Sequence, residues 1–280
     1  MNKLCDLHTH SVFSDGTFTP AEIIDEAIRI GLSAVALCDH NTVDGLPEFL
    51  SAAEGKDIEA VAGAEFSVDL NGTELHLLGL FIPSSRFAEI SEKMLEVNMR
   101  KEQSNLELIA SLSRAGIHVD YESLKKSTPN GKINRAHIAG ELVRLGYVSS
   151  RGEAFDTVLS PEAGHYKEPK RLGVFEMIDY LRSIGALPVL AHPYLKNDER
   201  GLINDFLPRA ASCGLVGMEC YYSTYDDDTT HTALDTAKRL GLLPSGGSDF
   251  HGERKPDIQI GTGRGTLGVP TEFFEKLRDF

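Results

Sequence analysis

The stretch "DLHTHSVFSDG", Asp6–Gly16, decides how the rest of the chain is interpreted. Its two histidines, His8 and His10, are separated by one threonine, and an acid, Asp15, follows five residues after His10. On a β-strand, residues i and i+2 point to the same face, so the two imidazoles could bind one metal ion together. Taken alone, such a pair is more often an ordinary surface feature near a terminus. The remaining sequence has to distinguish the two interpretations.

Short β-type runs recur along the chain, and helical patterns lie between several of them. The helix predicted over Pro20–Ile30 is typical: Pro20 fits the first turn after Thr19, and Gly31 ends the helix. Strands that alternate with helices favour a parallel α/β barrel or a doubly wound sheet. The seven predicted strands are Leu4–His8, Ser33–Cys38, Glu59–Ala64, Leu75–Phe81, Leu187–Ala191, Val216–Cys220 and Leu243–Ser245.

In the middle of the chain, the alternation of predicted strands and helices stops. Residues 85–116 form one long charged amphipathic pattern, and further helical patterns follow it. We therefore predict a helical insertion over residues 85–169 and a barrel domain built from residues 1–84 and 170–280. We expect the insertion to cover the active site and to contribute substrate contacts.

The charge of the chain limits its partners. The 280 residues carry a formal net charge of −14, with 41% hydrophobic and 25% charged residues. An acidic chain is a poor binder of duplex nucleic acid, which requires a basic surface. We find no run of about 18 apolar residues that could span a membrane and no secretory signal, and we expect a cytoplasmic protein. A chain of this charge that acts on phosphates would need metal ions.

Polar residues of metal-ligand type stand at or just beyond the ends of the predicted strands. In parallel α/β architectures these ends face one common rim, where side chains from different strands converge. Each residue alone has an ordinary explanation, such as a helix cap, a turn or a buried hydrogen bond, but their joint occurrence favours a metal cluster. The set comprises His8, His10, Asp15, Asp39, His40, Glu65, His76, His192, Glu219, Asp249 and His251.

The chemistry of this set narrows the choice of metal. Histidine and carboxylate ligands without cysteine point to hydrolytic Mn²⁺, Zn²⁺ or Fe²⁺ and away from a closed structural zinc site. The ligands are too many for one ion, so we predict two or three ions with a carboxylate that bridges at least two of them. Such a cluster lowers the pKa of bound water and holds the attacking and leaving oxygens of a phosphoryl group.

The motifs "DLHTHSVFSDG", "LCDHNTVDG", "GAEFS", "HLLGL", "AHP" and "GGSDFHG" resemble, in this order, those of the polymerase and histidinol phosphatase (PHP) family of phosphoesterases. The resemblance implies a distorted seven-stranded (β/α) barrel with a trinuclear metal site. It also implies that Asp39 and Glu219 orient the ligands. The implied ligands are His8, His10, Glu65 and Asp249 for one ion, Glu65, His76 and His192 for a second, and Asp15, His40 and His251 for a third.

The insertion narrows the resemblance further. Its segment "INRAHIAGELVRLGYVSSRGEAF", residues 133–155, is similar to a segment of the small nucleotide-phosphatase branch of the family. Arg135 matches an arginine that contacts substrate phosphate there, and a guanidinium suits two phosphate oxygens. The alternative for Arg135 is a helix-start arginine paired with Glu141. His137 also matches a family histidine and is a candidate substrate contact.

A second segment of the insertion departs from the branch. In "GHYKEP", residues 164–169, His165 and Lys167 differ from the usual residues. We expect these two side chains to give this chain substrate contacts of its own.

These observations predict a metal-dependent hydrolase of phosphate esters on small molecules. A hydroxide that bridges the ions would attack phosphorus, while the ions and Arg135 neutralise the growing charge. The residues predicted to take part in catalysis are Arg135, His192 and Asp249. The resemblance favours a nucleotide-type phosphomonoester, such as the 3′-phosphate of a nucleoside 3′,5′-bisphosphate or of a short oligonucleotide. A cyclic phosphodiester of a nucleotide or sugar is the alternative substrate.

Two other classes of function stay open at this point. Metal barrels of the amidohydrolase type also begin with His-x-His, but they usually add a lysine ligand at mid-barrel, and no predicted strand ends on lysine. A non-catalytic metal-binding or polymerase-accessory module would be expected to have lost ligands. All nine ligand positions of the family pattern are filled in this chain.

Overall fold

The structure, a computed structural model, describes residues 4–128, 131–195 and 199–280. Hydrogen-bonded strands within these ranges form one sheet. The strands are β1 Leu4–Thr9, β2 Ala34–Leu37, β3 Glu59–Leu70, β4 Thr73–Leu80, β5 Leu172–Gly173, β6 Leu187–Leu190, β7 Gly217–Tyr222, β8 Leu243–Gly247 and β9 Val269–Pro270.

Helices cover the sheet and fill the insertion. α1 begins after Thr19, whose side chain and that of Glu22 form a reciprocal capping box, as the predicted start required. None of the described helices is long and apolar enough to cross a membrane. The helices are α1 Pro20–Arg29, α2 Leu46–Ala53, α3 Phe87–Arg114, α4 Tyr121–Ser127, α5 Arg135–Arg144, α6 Arg151–Asp156, α7 Val174–Ser183, α8 Glu199–Ser212, α9 Asp227–Leu240 and α10 Thr271–Arg278.

The sheet closes into a barrel. Its order is β8-β7-β6-β4-β3-β2-β1-β9, with β5 attached to β3. β1 meets the end of β8, because the amide of Asp249 donates to the carbonyl of His8 at 2.8 Å and the amide of His10 donates to that of Phe250 at 2.9 Å. The seven predicted strands are β1 to β4 and β6 to β8. The predicted fold, a distorted seven-stranded α/β barrel, is confirmed.

One strand of the barrel runs against the others, and this corrects the expectation of an all-parallel barrel. β3 extends past Ala64 and turns through Asn71 and Gly72, which have φ values of 52° and 87°. An Asn-Gly pair of this conformation makes a tight hairpin, so β4 pairs antiparallel with β3 and with β6. His76 lies opposite Ser67 in this hairpin. The first half of β4 therefore reaches the rim where the parallel strands end.

The insertion has a hydrophobic core of its own but shares one helix with the barrel. The first half of α3 places Ile90 and Met94 in the hydrophobic core that the barrel strands share with α1, α2 and α7. The second half places Leu108 and Leu112 in a separate cluster with Ile138 and others from α4 to α6. The exact boundaries predicted at residues 84/85 and 169/170 stay a prediction, since α3 belongs to both cores.

Candidate metal centre

The nine predicted metal ligands converge on one rim of the barrel. Six of them are buried, and the other three, His40, His76 and His192, are half-buried. Two ligands have strained backbones, because His192 and Asp249 have φ values of 29° and 55°. Such strain persists where the surrounding structure enforces it, which is common at functional sites.

Four ligand atoms meet at the carboxyl ends of β1 and β8, beside Glu65 of β3. His10 Nε2 lies 3.0 Å from His8 Nε2, 3.1 Å from Asp249 Oδ1 and 3.4 Å from Glu65 Oε2. His8 Nε2 lies 3.5 Å from the same oxygen of Glu65 and 3.7 Å from that of Asp249. Ligands bound to one tetrahedral ion at about 2.1 Å would lie about 3.4 Å apart. The spacing suits the ion that was predicted for these four residues.

Glu65 extends from this group toward the other histidines. Its Oε1 lies 2.8 Å from His76 Nδ1 and 3.0 Å from His192 Nε2. Its Oε2 faces His8 and His10 and lies 2.9 Å from His40 Nδ1. The two oxygens of one carboxylate thus address different groups of ligands, as a bridging carboxylate requires.

The remaining ligands gather around Asp15. Asp15 Oδ1 lies 3.3 Å from His251 Nε2 and 3.6 Å from His40 Nε2. His40 therefore stands between Asp15 and Glu65, with one ring nitrogen toward each. His10 likewise belongs to two of the groups of closely spaced ligand atoms. The division of the nine residues among individual ions stays a prediction.

The donor set fits divalent cations. Asp15 Oδ1, Glu65 Oε2 and His10 Nδ1 are buried and form no hydrogen bond. Buried polar atoms are nearly always satisfied, and a buried carboxylate oxygen without a donor is costly. Two or three ions among these residues would satisfy the two carboxylate oxygens.

The electrostatics of the site keep its carboxylates ionised. Burial alone would raise the pKa of Glu65, but the imidazoles of His76 and His40 hold this pKa well below its usual range. Burial is likewise outweighed at Asp15 and Asp249, whose pKa values are lowered well below normal by nearby cationic groups. Anionic oxygens at the centre of the cluster are available to bind cations.

Glu219 has the geometry of a residue that orients ligands. His8 Nδ1 lies 3.0 Å from Glu219 Oε1, and the amide of His192 donates to Glu219 Oε2 at 2.7 Å. A carboxylate on Nδ1 leaves Nε2 of the same ring free to bind a metal. Glu219 thereby positions two predicted ligands from different strands.

Asp39 acts on a loop instead of a ligand. It accepts hydrogen bonds from the amide and hydroxyl of Ser11, at 2.8 and 2.6 Å, and from the hydroxyl of Ser14 at 2.5 Å. These bonds fix the loop after β1, which carries Asp15. The orienting role predicted for Asp39 would thus act on Asp15 through this loop, and it stays a prediction.

Other residues at the site were not anticipated. Tyr222 Oη and Lys255 Nζ donate to Asp249 Oδ2 at 2.7 and 2.6 Å. Asn134 Nδ2 donates to Asp15 Oδ2 at 2.8 Å from the insertion. The residue Asn134 has the sequence signature of a helix N-cap, but its contact with Asp15 carries no local signal.

Two cavities adjoin the ligands. The larger, which we call the cationic cavity, has a volume of about 540 Å³ and lies between the insertion and β4 and β6. The smaller, the ligand cavity, has a volume of about 350 Å³ and lies over Asp15, Glu65 and Asp249. Besides His40, His76 and His192, the charged lining residues of the cationic cavity are Glu74, Lys101, Arg135, Lys170 and Arg171.

Arg135 lines the cationic cavity, where its guanidinium stacks 4.2 Å from the ring of Tyr166. Its nearest carboxylate is Glu74, at 3.7 Å. The alternative partner, Glu141, instead forms a 2.7 Å ion pair with Arg144. The side chain of Arg135 therefore faces the cavity and does not form the alternative ion pair with Glu141.

The structure does not bring the other three predicted substrate contacts to either cavity. His137 is buried, and its Nδ1 lies 2.7 Å from Asn134 Oδ1 within the cap of α5. His165 Nδ1 lies 2.9 Å from Ser111 Oγ, on the far side of its segment, and Lys167 is exposed. In their place Tyr166 and Arg171 line the cationic cavity. Of residues 164–169, Tyr166 and Pro169 are the ones that line this cavity.

Comparisons with known proteins agree with this site. The model of the PHP domain matches residues 6–171. A 5′-3′ exoribonuclease of Haemophilus influenzae is 30% identical over 90% of this chain and 91% of its own length. A 3′,5′-nucleoside bisphosphate phosphatase of Chromobacterium violaceum is 30% identical over 90% of each chain. A solved structure from Bifidobacterium adolescentis, described as a metal-dependent phosphoesterase, superimposes with a TM-score of 0.85 at 26% identity and covers 98% of this chain and 95% of its own.

Proposed function

The chain belongs to the PHP domain family and is a metal-dependent phosphoesterase, and we propose that it hydrolyses the 3′-phosphate of a nucleotide whose 5′ end is also phosphorylated. A nucleoside 3′,5′-bisphosphate is the simplest substrate of this kind. The metal centre would hold the phosphate that is cleaved, and the cationic cavity would hold the other.

The charge of the cationic cavity carries this proposal. The chain has a net charge of −14, yet the described residues that line this cavity include four cations, Lys101, Arg135, Lys170 and Arg171, and one carboxylate, Glu74. Glu74 lies 2.7 Å from Arg171 and 3.7 Å from Arg135, and Glu168 also pairs with Arg171 at 2.8 Å, so these two carboxylates do not neutralise all four cations. A concentration of positive charge in an acidic protein suits an anionic group on the substrate.

Two rings of the same cavity suit the nucleoside. Tyr166 and Phe155 line the cavity, and the guanidinium of Arg135 lies over both rings, at 4.2 and 5.8 Å. Aromatic and guanidinium planes stack on nucleobases with little sequence preference. This arrangement favours a nucleotide over a simple sugar phosphate.

The chain's own residues have defined tasks in this reaction. Two or three divalent ions, Mn²⁺, Zn²⁺ or Fe²⁺, held by the nine predicted ligands would activate water and polarise the phosphate. His192 and Asp249, for which catalytic roles were predicted, would act as ligands, with Glu219 and Lys255 fixing their positions. Arg135 would bind the substrate from the cationic cavity and orient it against the cluster.

The same geometry favours a second substrate, a short oligonucleotide with a 5′-phosphate. Its terminal phosphate would bind in the cationic cavity, and the first internucleotide phosphate would reach the metal centre. The similarity to a protein named as a 5′-3′ exoribonuclease supports this extension. A bisphosphate and a 5′-phosphorylated oligonucleotide would then share one binding mode.

A substrate panel tests the proposal. Product formation is measured with Mn²⁺-loaded enzyme on a nucleoside 3′,5′-bisphosphate, the 3′- and 5′-monophosphates, a 2′,3′-cyclic nucleotide, a cyclic ribose phosphate and a 5′-phosphorylated trinucleotide. We expect the highest kcat/KM on the bisphosphate or the trinucleotide. Equal kcat/KM on the 3′-monophosphate would contradict a second anion site, and preference for a cyclic ester would favour the alternative substrate class.

Variants locate the second anion site. Lys101→Gln and Arg135→Gln should raise KM for the bisphosphate at least tenfold and leave KM for the 3′-monophosphate nearly unchanged, because only the first substrate has a second phosphate. Arg144→Gln, which removes an exposed cation of α5, is the matched control. An equal rise in KM for both substrates would show that these residues do not bind the second phosphate.

A further inference from the structure

Two arginines that line the ligand cavity have no carboxylate partner for their charge among the described residues. Arg151 belongs to α6 of the insertion, and Arg254 follows β8 of the barrel. Within the described ranges, neither guanidinium forms an ion pair with a carboxylate, and the Nε of each is buried without a hydrogen bond. Charged groups that are partly buried are usually paired, so two half-buried guanidinium groups without a carboxylate partner beside a cavity point to an absent anion.

The two arginines are held close to each other. Arg151 Nη1 donates to the backbone carbonyl of Arg254 at 3.1 Å, which ties the insertion to the barrel. Burial lowers the pKa of Arg254; the charge of Asp15 opposes this shift, and the charge of Arg151 adds a smaller lowering. The two arginines carry like charges and form no ion pair with a described carboxylate, so an anion bound between them would offset their mutual repulsion.

The helix beside them leaves room for this arrangement. A Cβ atom on Gly140 of α5 would lie 3.1 Å from Nη2 and 3.2 Å from Nε of Arg151. Glycine is unfavourable in a helix interior, so its position here needs a reason. The missing side chain lets the guanidinium of Arg151 pack against α5 at the edge of the ligand cavity.

We propose that Arg151 and Arg254 form a phosphate clamp, which binds the free oxygens of the phosphoryl group held at the metal centre. The Nε–Nη2 edge of Arg151 packs against α5, so the Nη groups of Arg151 and the guanidinium of Arg254 would donate to the dianionic phosphate, in the charge-assisted hydrogen bonds that arginine forms well. The clamp rests on the proposed function only in that the ligand is a phosphate. It is separate from Arg135, which faces the cationic cavity.

Binding of inorganic phosphate tests the clamp without reference to any particular ester. Calorimetry is run on Mn²⁺-loaded wild type, Arg151→Gln, Arg254→Gln and the double variant, with Arg144→Gln as the control. We expect each single variant to bind phosphate at least tenfold more weakly, the double variant to bind it more weakly still, and the control to match wild type. Metal content and Tm without phosphate should equal those of wild type.

Several results would overturn the clamp. Unchanged phosphate affinity with a lowered Tm would mean that the arginines only join the insertion to the barrel. Weaker phosphate binding that follows the loss of metal would assign the effect to the ligands. Failure of the wild type to bind phosphate would also refute it, whereas a missing preference for bisphosphates would contradict only the proposed function.

A glycine variant provides an independent test, because it leaves both charges in place. Gly140→Ala should displace the guanidinium of Arg151 and weaken phosphate binding severalfold, while a helix interior gains from alanine. We expect Tm to stay equal or rise as phosphate affinity falls. Unchanged affinity in Gly140→Ala, together with unchanged affinity in Arg151→Gln, would remove Arg151 from the site.

Discussion

Asn134 Nδ2 donates a 2.8 Å hydrogen bond to Asp15 Oδ2, and so the residue that caps the first turn of α5 also holds a predicted metal ligand of the barrel. The other oxygen of Asp15 faces His251 and His40. The insertion supplies no predicted metal ligand, but through Asn134 it holds Asp15, a predicted ligand of the barrel, in place.

This relationship predicts the effect of two substitutions. Asn134→Ser retains an oxygen that can cap α5 but loses the bond to Asp15, so we expect metal affinity to fall by about tenfold or more. Asn134→Ala should lose the same metal affinity and about 1 kcal/mol of unfolding free energy as well. Chelator competition and urea unfolding measure the two effects. Wild-type metal retention in both variants would show that the bond does not matter to the cluster.

Glu219 offers a second test of the support around the ligands. Glu219→Gln removes the charge that faces His8 Nδ1 and places an amide against a donor. We expect metal affinity to fall by about 10- to 100-fold, as is usual for such outer residues. Glu272→Gln, on the exposed face of α10, is the control. A Glu219→Gln protein with the metal content and activity of wild type would disprove the orienting role.

Removing the metal should destabilise the folded protein. The ions bind a site that exists only in the native state, so saturation at about 100 times Kd adds about 2.7 kcal/mol of unfolding free energy for one ion. We expect a chelator to lower Tm and excess Mn²⁺ to restore it. Calorimetric scans of wild type and Glu65→Gln provide the measurement, with a smaller shift expected for the variant. An identical Tm with and without chelator would argue against ions within this group of residues.

His137 predicts a dependence of stability on pH. Burial, reinforced by the charge of Arg254, lowers the pKa of His137 to about 3, whereas an unfolded histidine titrates near about 6.5. Between these values the unfolded chain binds a proton that the folded chain does not, so the stability present above pH 6.5 is lost as the pH falls. The slope is at most about 1.4 kcal/mol per pH unit.

The variant His137→Gln removes this proton and keeps a side chain suited to the third position of a helix. We expect its unfolding free energy to fall less steeply than that of wild type between pH 7.5 and pH 5. The difference in unfolding free energy between the two proteins at pH 7.5 serves as the reference, because neither the folded nor the unfolded state binds this proton there. Parallel curves over the whole range would refute the assignment.

The rim of the barrel could be predicted from the sequence, because ligand-type residues follow strand ends at positions that topology brings together. His8 and His10 share a face because side chains alternate along a strand, and Glu65 directly follows the predicted strand Glu59–Ala64, which lies within β3. The direction of the strand that carries His76 was not predicted. The Asn71–Gly72 pair was a usable signal for the hairpin, and its significance was missed.

Contacts between residues far apart in the sequence could not be predicted from local sequence patterns. Nothing near Asn134 indicates Asp15, which is 119 residues away, and nothing near Arg151 indicates Arg254. Within residues 164–169, His165 and Lys167 were predicted as substrate contacts, whereas Tyr166 and Pro169 line the cationic cavity. Which side of an extended segment faces a cavity depends on packing that composition does not reveal.

The helix α3 has a mechanical consequence. Its 28 residues extend about 42 Å, with Met94 fixed in one core and Leu108 in the other. If the insertion moved as a body, this rod would have to bend between those anchors. Lys101 lies in that span and projects into the cationic cavity. Any rotation of α3 would therefore move the charge of Lys101 relative to the substrate. The strength of substrate binding and the width of the cavity opening would change together.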